Sequence, residues 1–383
     1  MGLFDTLFAR LKKPPNGGSF KTLTAYMPVW TQWGGNIYAN ERIRAAIDAK
    51  ARHISKLHAE MRGTAHGKLR AKMAQAPNSF ETWSQFLYRL ATIYNVYNTA
   101  FIIPLFDEYG EISGIFCALP TSCEVLDVNG EPWLRYRFGN GETAAIQMSM
   151  CGVMKRHQCG DDIFGEKNNA LTDTMQLLDL QRQGTREGIK NSATFRFMAK
   201  LSNFSKPEHL AAEAKRFTEE NMRGESGGIL LFPNTYADIK QIESKPFLVD
   251  AEQIKIIDNR IYNYYGVNED ILQNKAVGDA LDGFYEGEIE TFAIQLCEVL
   301  NGMPFFTSRE KAQGNGWIVS ANRLQYMSTA NKIALAQQLG DRGILTVNEI
   351  RELFNYPLLE GAPGERIPTR GEYYDVNEGK SDE

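Results

Sequence analysis

The sequence lacks an apolar run long enough to cross a membrane. Its longest apolar stretches, residues 100–106 and 229–232, are far shorter than the ~20 residues that a transmembrane helix needs. It also lacks an excess of basic residues, since 42 Lys and Arg stand against 47 Asp and Glu for a net charge of −5. Affinity for nucleic-acid backbones comes mainly from Lys and Arg that displace counterions. The sequence therefore predicts a soluble protein that does not grip phosphates over its whole surface.

Cysteine is scarce, which excludes a small disulfide-stapled fold. The cysteines are odd in number and scattered along a chain long enough to form packed cores without covalent links. Reduced thiols in a protein assembled in the cytosol are therefore the favoured interpretation. No secretory signal opens the sequence, because residues 1–13 pattern as a short amphipathic helix without a continuous apolar centre. The five cysteines are Cys117, Cys123, Cys151, Cys159 and Cys297.

A convincing catalytic motif is absent as well. Residues 379–381 (Gly-Lys-Ser) resemble the end of a phosphate-binding loop, but Tyr374 stands where that loop requires a glycine, and no helix can follow. The dinucleotide-binding glycine pattern, the Gly-x-Ser-x-Gly motif and the Cys-x-x-Cys pair are all missing. We predict no enzymatic activity and no cofactor. An unrecognised enzyme is the alternative, and it would need titratable groups that converge in one pocket.

No metal site is predicted either. His53 and His58 lie five residues apart on what is predicted to be one helix, whereas a spacing of three or four would place two ligands on one face. Cys151, His157 and Cys159 match no familiar zinc spacing and lack a fourth ligand.

What the sequence does contain begins with an α+β unit at residues 40–165. Apolar residues at helical spacing predict a helix that begins at Asn40 and extends through Leu57 and Met61. A second helix is predicted from about Ser79. Short runs separated by turn residues then predict antiparallel strands, at residues 100–105, 112–119, 124–128 and 133–138.

The middle of the chain combines long helices with a small insert. Residues 168–191 predict a long polar helix, and another helix begins at Asp250 and stops at Gly266. Between them, Ser205 caps a short helix. The insert is about 50 residues long, which is small for a unit that folds alone. Its predicted strands are residues 194–198, 229–232 and 237–242.

The last part of the chain is predicted to be mostly helical. Residues 273–283 are rich in Gly, Asp and Ala and predict no regular element. A strand pair is expected around residues 314–316, and residues 361–383 are polar and predicted to be disordered. The predicted helices are residues 284–300, 327–339 and 346–355.

The two C-terminal helices imitate a helix-turn-helix DNA-binding motif, with Gly343 in the turn between them. Asn348 and Arg351 would then contact bases. The second helix is only ~9 residues long, however, and ends before Pro357. A packed helical hairpin is favoured, and a DNA-binding regulator is the alternative.

The same segment resembles a known family. The run Thr-Val-Asn-Glu-Ile-Arg at residues 346–351, followed by Glu-Leu-Phe-Asn-Tyr-Pro, is similar to a box near the C-terminus of siphophage portal proteins. Residues 261–267 (Ile-Tyr-Asn-Tyr-Tyr-Gly-Val) resemble the family's stem-helix ending, although Asn268 stands where that ending has proline. Residues 76–78 and 109–112 also follow in the family's order. The resemblance spans residues 40–360.

The resemblance implies a portal fold, in which commonly twelve subunits form a ring around an axial channel. In the N-terminal arm, Trp30 and Trp33 would be buried either on a neighbouring subunit or on their own domain. The implied regions are the arm (1–39), an α+β wing (40–165), a first stem helix (166–192), a small α/β clip (193–247), a second stem helix (248–268), a tunnel loop (269–283), a wing helix and strands (284–326), a helical crown (327–360) and a disordered tail (361–383).

The resemblance also implies partners and a location. Double-stranded DNA would pass through the channel, and the terminase large subunit and later the head-completion adaptor would dock on the clip. Major capsid and scaffold proteins would surround the ring at one vertex of the virion, after assembly in the host cytoplasm. A minor capsid or adaptor subunit is an alternative within viruses, although those proteins lack the order of stem, clip and stem.

The negative charge fits a channel through which DNA slides. Twelve copies would carry −60 (12 × −5), and strong phosphate contacts would slow the duplex. We hypothesise that Gln273, Asn274 and Lys275 of the tunnel loop touch the DNA without holding it. The alternative is a flexible solvent loop with one incidental lysine.

Overall fold

The computed structural model describes residues 21–25, 37–139, 141–192, 196–201, 211–212, 215–216, 236–242, 251–321, 329–354 and 356–368. The chain divides into two compact units, one formed by Leu171–Ile261 and the other by Met1–Ala170 together with Tyr262–Glu383. Every strand pair among the described residues is antiparallel, and helices separate the strands. The predicted α+β fold class is confirmed.

The N-terminal arm contributes a strand, β1 (Lys21–Ala25), before the first long helix, α1 (Glu41–Ile54). Asn40 caps α1, because its side-chain oxygen accepts hydrogen bonds from the backbone of Arg42 at 3.0 Å and Ile43 at 3.5 Å. The predicted start of this helix is therefore confirmed. The predicted helix at residues 1–13 lies outside the described residues, as do both tryptophans of the arm.

The predicted end of α1 is wrong. The helix stops at Ile54, and β2 (His58–Arg62) follows, with Ala59 and Met61 buried by the two-residue period of a strand. Met61 lies at a position where the helical spacing that continues from α1 and the two-residue spacing of β2 both place an apolar residue. His53 and His58 therefore lie on different elements rather than on one helix.

Two helices follow, α2 (Gly67–Gln75) and α3 (Trp83–Tyr97). The sequence pattern did not predict α2, because Met73 is the one residue that it buries. The second predicted helix begins later than Ser79. The Asn78 side chain accepts hydrogen bonds from the backbone of Phe80 and Glu81, which holds the residues just before α3 in a turn.

Strand β1 and the six strands that follow α3, whose bounds are given at the end of this paragraph, form two antiparallel sheets. Their strand orders are β4-β3-β8 and β1-β5-β6-β7. Because β1 pairs along β5, part of the arm packs on its own chain. Phe101, Val125 and Leu134 from the two sheets share one buried cluster with Phe164. The sequence did not predict β7 and β8. The strands are β3 (Thr99–Phe106), β4 (Ile112–Ala118), β5 (Cys123–Val128), β6 (Glu131–Arg137), β7 (Thr143–Gln147) and β8 (Gly152–Lys155).

The second unit contains the long helix α4 (Thr172–Ser192), a strand pair and most of α5 (Ala251–Tyr264). The pair, β9 (Arg196–Leu201) and β10 (Tyr236–Ile242), is antiparallel. Both strands lie close to their predicted positions. The predicted helix at Ser205 and the predicted strand at 229–232 fall outside the described residues.

Residues 269–283, which the resemblance assigns to a tunnel loop, contain two short helices. These are α6 (Glu269–Leu272) and α7 (Asp279–Phe284), so only residues 273–278 lack helical structure. Asn268 caps α6 through a 2.8 Å hydrogen bond from the backbone of Ile271. We call residues 273–278 the loop segment. The prediction of no regular element at residues 273–283 is therefore wrong for residues 279–283, which belong to α7.

A π-helix (Tyr285–Ile289) joins α7 to α8 (Glu290–Gly302). The buried side of these joined helices includes Phe284, Ile289, Phe292 and Leu296. Glu288 lies at the edge of that side, with 30% of its side chain exposed.

Helix α9 (Ser308–Ala312) and strand β11 (Gly316–Ser320) follow. The predicted strand pair around residues 314–316 is wrong, because β11 pairs with β2, far away in sequence. Asn315 makes the turn before β11 by accepting a hydrogen bond from the backbone of Ala65 at 2.8 Å.

The chain ends with α10 (Thr329–Asp341), α11 (Val347–Leu353) and α12 (Ala362–Glu365). Residues 361–368 belong to the described structure, and the backbone N–H of Val347 donates to the carbonyl oxygen of Arg366 at 2.9 Å. The prediction that the tail is disordered from residue 361 is therefore wrong for 361–368. Residues 369–383 lie outside the described part of the chain.

Candidate functional site

The three residues predicted to touch DNA lie together at one exposed turn. The Lys275 ammonium donates to the Gln273 side chain at 2.6 Å, and Gln273 donates to Glu269 at 2.8 Å. Asn274 adopts a left-handed conformation with φ of 57° and accepts a hydrogen bond from Arg52 at 3.2 Å. The structure thus brings Gln273, Asn274 and Lys275 together and leaves all three side chains exposed.

The sequence segment that contains this turn is strongly acidic. Residues 269–290 contain seven carboxylates and one lysine, for a net charge of −6 (1 − 7), against −5 for the whole chain. The remainder of the chain is therefore almost neutral. A duplex next to this region meets repulsion from the carboxylates, with Lys275 as the single opposite charge of the segment.

Helix α1 supports the base of the loop segment. His53 Nδ1 and the Tyr285 hydroxyl lie 3.0 Å apart, and the imidazole packs edge-on against Phe284 and Tyr285. Lys50, one helical turn earlier, donates to the carboxylate of Glu288 in an ion pair. Arg52 contacts Asn274. Three neighbouring side chains of one helix thus hold both the loop segment and the π-helix.

Burial alters the protonation of this support. Removal from water, reinforced by the positive charge of Arg156, lowers the pKa of Lys50 to about 8, although the Glu288 carboxylate opposes the shift. Burial and the charges of Lys56 and Arg52 lower the pKa of His53 to about 4. His53 is therefore neutral at pH 7, and Lys50 is charged but close to its titration range.

Arg156 fastens the C-terminal end of α5. Its guanidinium donates to the carbonyl oxygen of Tyr264 at 2.8 Å and lies 5.5 Å from the ring centres of both Tyr264 and Tyr265. A cation there is favourable, because the last carbonyls of a helix carry partial negative charge. The Tyr264 hydroxyl donates to the side-chain oxygen of Asn168 at 2.6 Å, and the Asn98 side chain donates to that Asn168 oxygen at 2.7 Å.

Gly266 ends this helix with φ of +66°, a conformation that other residues rarely adopt. The Glu288 carboxylate fills the space that a β-carbon at position 266 would occupy. Glycine is thus required twice, by the backbone and by the neighbouring side chain. The predicted helix stop at Gly266 is confirmed. We call residues 264–266 the α5 end.

The C-terminal box forms its own local structure. Thr346 caps α11 by accepting from the backbone of Glu349 at 3.2 Å, and Glu349 accepts from the Thr346 backbone at 2.7 Å. These hydrogen bonds from Thr346 hold the pKa of the Glu349 carboxyl below its usual value. The reciprocal pair is a capping box, which Thr346 followed three residues later by Glu349 already indicates in the sequence.

Asn348 and Arg351 of this box bind the chain's own backbone. Asn348 donates to the carbonyl oxygen of Leu359 at 3.0 Å and accepts from its N–H at 2.8 Å. Arg351 donates to the carbonyl oxygen of Pro357 at 2.8 Å and lies over the ring of Tyr356. The two side chains that a helix-turn-helix would use for bases therefore bind the segment that follows α11, which favours a packed hairpin over a DNA reader.

Other candidate sites show no convergence in the part of the chain that the structure describes. There, no three His, Cys, Asp or Glu side chains are grouped so that they could hold a metal ion. None of the helices described is long and apolar enough to cross a membrane. The five cysteines are free thiols, and burial raises the pKa of Cys117 and Cys151 to about 12.

The sequence patterns considered above did not single out Lys50 and Glu288. A signal for Lys50 was present, since positions 43, 47, 50 and 54 form one helical stripe whose other members are isoleucines. A lysine on an apolar stripe predicts a buried partner of opposite charge. Glu288 had a similar signal, because this charged residue lies four residues from each of Phe284 and Phe292. Their pairing is long-range and had no signal in sequence spacing.

The family model described as "Phage portal protein" matches residues 41–355. No curated protein sequence matches.

Solved structures show a similar fold. One is the neck of the empty gene transfer agent particle computed with C6 symmetry, at 15% identity over 87% of this chain and 96% of that chain, with a TM-score of 0.56. Chains of the virion of the native particle (14% identity) and of its neck computed with C12 symmetry (15%) match over the same shares, each with a TM-score of 0.57. At such identities the likeness shows the fold. Because the family model covers most of the chain, the protein belongs to the phage portal protein family.

Proposed function

We propose that this chain forms a ring of twelve subunits at one vertex of a virion, with a central channel for double-stranded DNA. The family match over residues 41–355 carries this proposal. The fold it shares with chains from particle necks, one of them computed with C12 symmetry, supports the ring.

Within this ring, α4 and α5 are the stem helices, and residues 193–247 between them form the clip. The wing is built from residues 40–165 and 284–326, and residues 327–360 form the crown. The tunnel loop, residues 269–283, contains α6, the loop segment and the beginning of α7. We place Gln273, Asn274 and Lys275 at the channel wall.

The charges support a channel through which DNA slides in both directions. Twelve copies of residues 269–290 would bring −72 to the ring (12 × −6), and affinity for DNA depends on counterions released by Lys and Arg. Weak contact from Lys275 combined with repulsion from the carboxylates leaves no strong hold on any one phosphate. The duplex can then move without a large barrier at each step.

We further propose that the ring has no catalytic role of its own. The terminase large subunit would supply ATP hydrolysis while docked on the clip, and the head-completion adaptor would take its place after packaging. Major capsid and scaffold proteins would contact the ring from assembly in the host cytoplasm onward. The missing phosphate-binding loop agrees with this division of labour.

Packaging in the presence and absence of the chain tests this role. Particles assembled without it are expected to contain no nuclease-protected DNA, and supplying the wild-type protein during assembly should restore full protection. Terminase purified from the assembly reactions with and without the chain, and assayed without capsids, should hydrolyse ATP at the same rate. Normal protected DNA in particles that lack the chain would contradict the proposal.

A further inference from the structure

One carboxylate, that of Glu288, lies between two separate parts of the fold. It belongs to the π-helix, four residues before the buried Phe292 and within the helix that follows the loop segment. Its oxygens fill the space above Gly266 at the α5 end. A shift of the π-helix therefore changes the space available at the α5 end, and a shift of the α5 end displaces Glu288.

Lys50 fixes Glu288 in that place. Its side chain is 4% exposed, whereas that of Glu288 is 30% exposed. A charge buried so deeply needs a partner of opposite sign, because the cost of leaving it unpaired is large. The nearby Arg156, which fastens the α5 end, adds a like charge and increases that need. The ion pair therefore fixes the rotation of α8 and the π-helix against α1.

The same stretch of α1 holds the loop segment. His53 reaches Tyr285 at the start of the π-helix, and Arg52 reaches Asn274 inside the loop segment. Arg52 is itself held by Asp48 at 2.9 Å. The loop segment and the α5 end thus share one support, in which Lys50 and Glu288 are the charged centre.

We propose that Lys50 and Glu288 form a positioning pair that couples the α5 end to the loop segment, so that displacement of one is transmitted to the other. The meaning of this coupling for a DNA channel rests on the proposed function, but the coupling itself does not. In the ring, it links the C-terminal end of a stem helix to the wall that faces DNA.

Amide hydrogen exchange on the assembled full-length protein tests the coupling. Glu288→Gln leaves Lys50 buried without a counter-charge, and we expect exchange to rise at least about tenfold in residues 262–267 and in the loop segment together. Lys50→Met should raise exchange less, because the carboxylate it leaves behind is partly exposed and can be hydrated. The double variant removes both charges, so its exchange should be slower than that of Glu288→Gln alone.

The matched control is Glu298→Gln, which removes an exposed carboxylate from the same helix and should change neither segment. Exchange in strand β3 reports global unfolding. If β3 also loses protection in Glu288→Gln, the exchange of the two segments is compared between Lys50→Met and the wild type instead. The proposal is overturned if the single variants loosen only one of the two segments, or if the double variant exchanges as fast as Glu288→Gln. Native mass of the same samples reports ring formation separately.

Discussion

The carboxylate of Glu288 occupies the place that a β-carbon at Gly266 would take. This contact joins two positions 22 residues apart (288 − 266), one at the end of α5 and one in a π-helix. It gives a physical reason for glycine in the segment that resembles the family's stem-helix ending. It also makes Gly266 a sensitive position for substitution.

Gly266→Ala is expected to destabilise the subunit. The positive φ costs a residue with a β-carbon roughly 1–2 kcal/mol, and the displaced Glu288 adds to that loss. Urea denaturation measures the change in the free energy of unfolding. The matched control is Gly283→Ala, at an exposed helical position with open space around it, where alanine should stabilise by about 0.5–1 kcal/mol. Equal effects of the two substitutions would contradict this account of Gly266.

Asn348→Asp is expected to release the C-terminal segment that packs on α11. A carboxylate cannot donate to the Leu359 carbonyl oxygen, so that hydrogen bond becomes a repulsion and costs about 1 kcal/mol. Helix α11 itself should be unharmed, since a negative charge in its first turn is favourable. Faster proteolysis within residues 356–368 would show the release.

The control for this prediction is Glu352→Gln, an exposed change on the same helix. It should leave the rate of proteolysis unchanged. Protection of residues 356–368 in Asn348→Asp equal to that in the wild type would show that other contacts hold the segment.

Lys275→Glu is expected to reduce the DNA retained in filled particles. The change takes residues 269–290 from −6 to −8 in each subunit, which strengthens repulsion and removes the weak contact. The defect should shrink as salt is raised, because ions screen exposed charges over a Debye length of about 10 Å at 0.1 M. Nuclease-protected DNA per particle is the measurement.

Lys68→Glu is the control, since it makes the same change of charge at an exposed position of α2. If Lys275→Glu and Lys275→Ala both package and retain DNA like the wild type, Lys275 has no part in the mechanism.

Acidification is expected to weaken the support of the loop segment through His53. Burial, together with Lys56 and Arg52, holds the pKa of His53 at about 4, below its ordinary 6.5. Because the unfolded state binds the proton more readily, this histidine's contribution is complete above about pH 6.5 and is lost as the pH falls towards 4. Carboxylates titrate in the same range, so the comparison must be with His53→Gln.

The free energy of unfolding of both proteins at about pH 7.5 and about pH 5 gives that comparison. The wild type should lose more stability than His53→Gln between the two values. An equal loss would show that His53 is not a significant source of the acid sensitivity.

Local signals predicted the elements that are set by neighbouring residues. The helix start at Asn40, the cap at Thr346 and the helix stop at Gly266 could all be predicted, since each depends on residues within one turn. The box around Thr346 was also the main carrier of the family resemblance. The α+β class followed from the change from helical to alternating periodicity.

The errors have a different physical origin. Met61 matched a helical spacing but is buried by a strand whose partner, β11, lies far along the chain. The candidate site had the same limitation, because the pairing of Lys50 with Glu288 joins two stripes whose contact only tertiary packing determines. The loop residues Gln273, Asn274 and Lys275 were named from the family resemblance, and their contact with DNA stays a prediction.

The most direct test of the central claim is the native mass of the purified full-length protein, with images of the same sample. Each chain has a mass of 43.2 kDa, so twelve copies give about 518 kDa (12 × 43.2). The account predicts a closed ring near that mass with an axial hole. A stable monomer or dimer, at high concentration and at low salt alike, would contradict it.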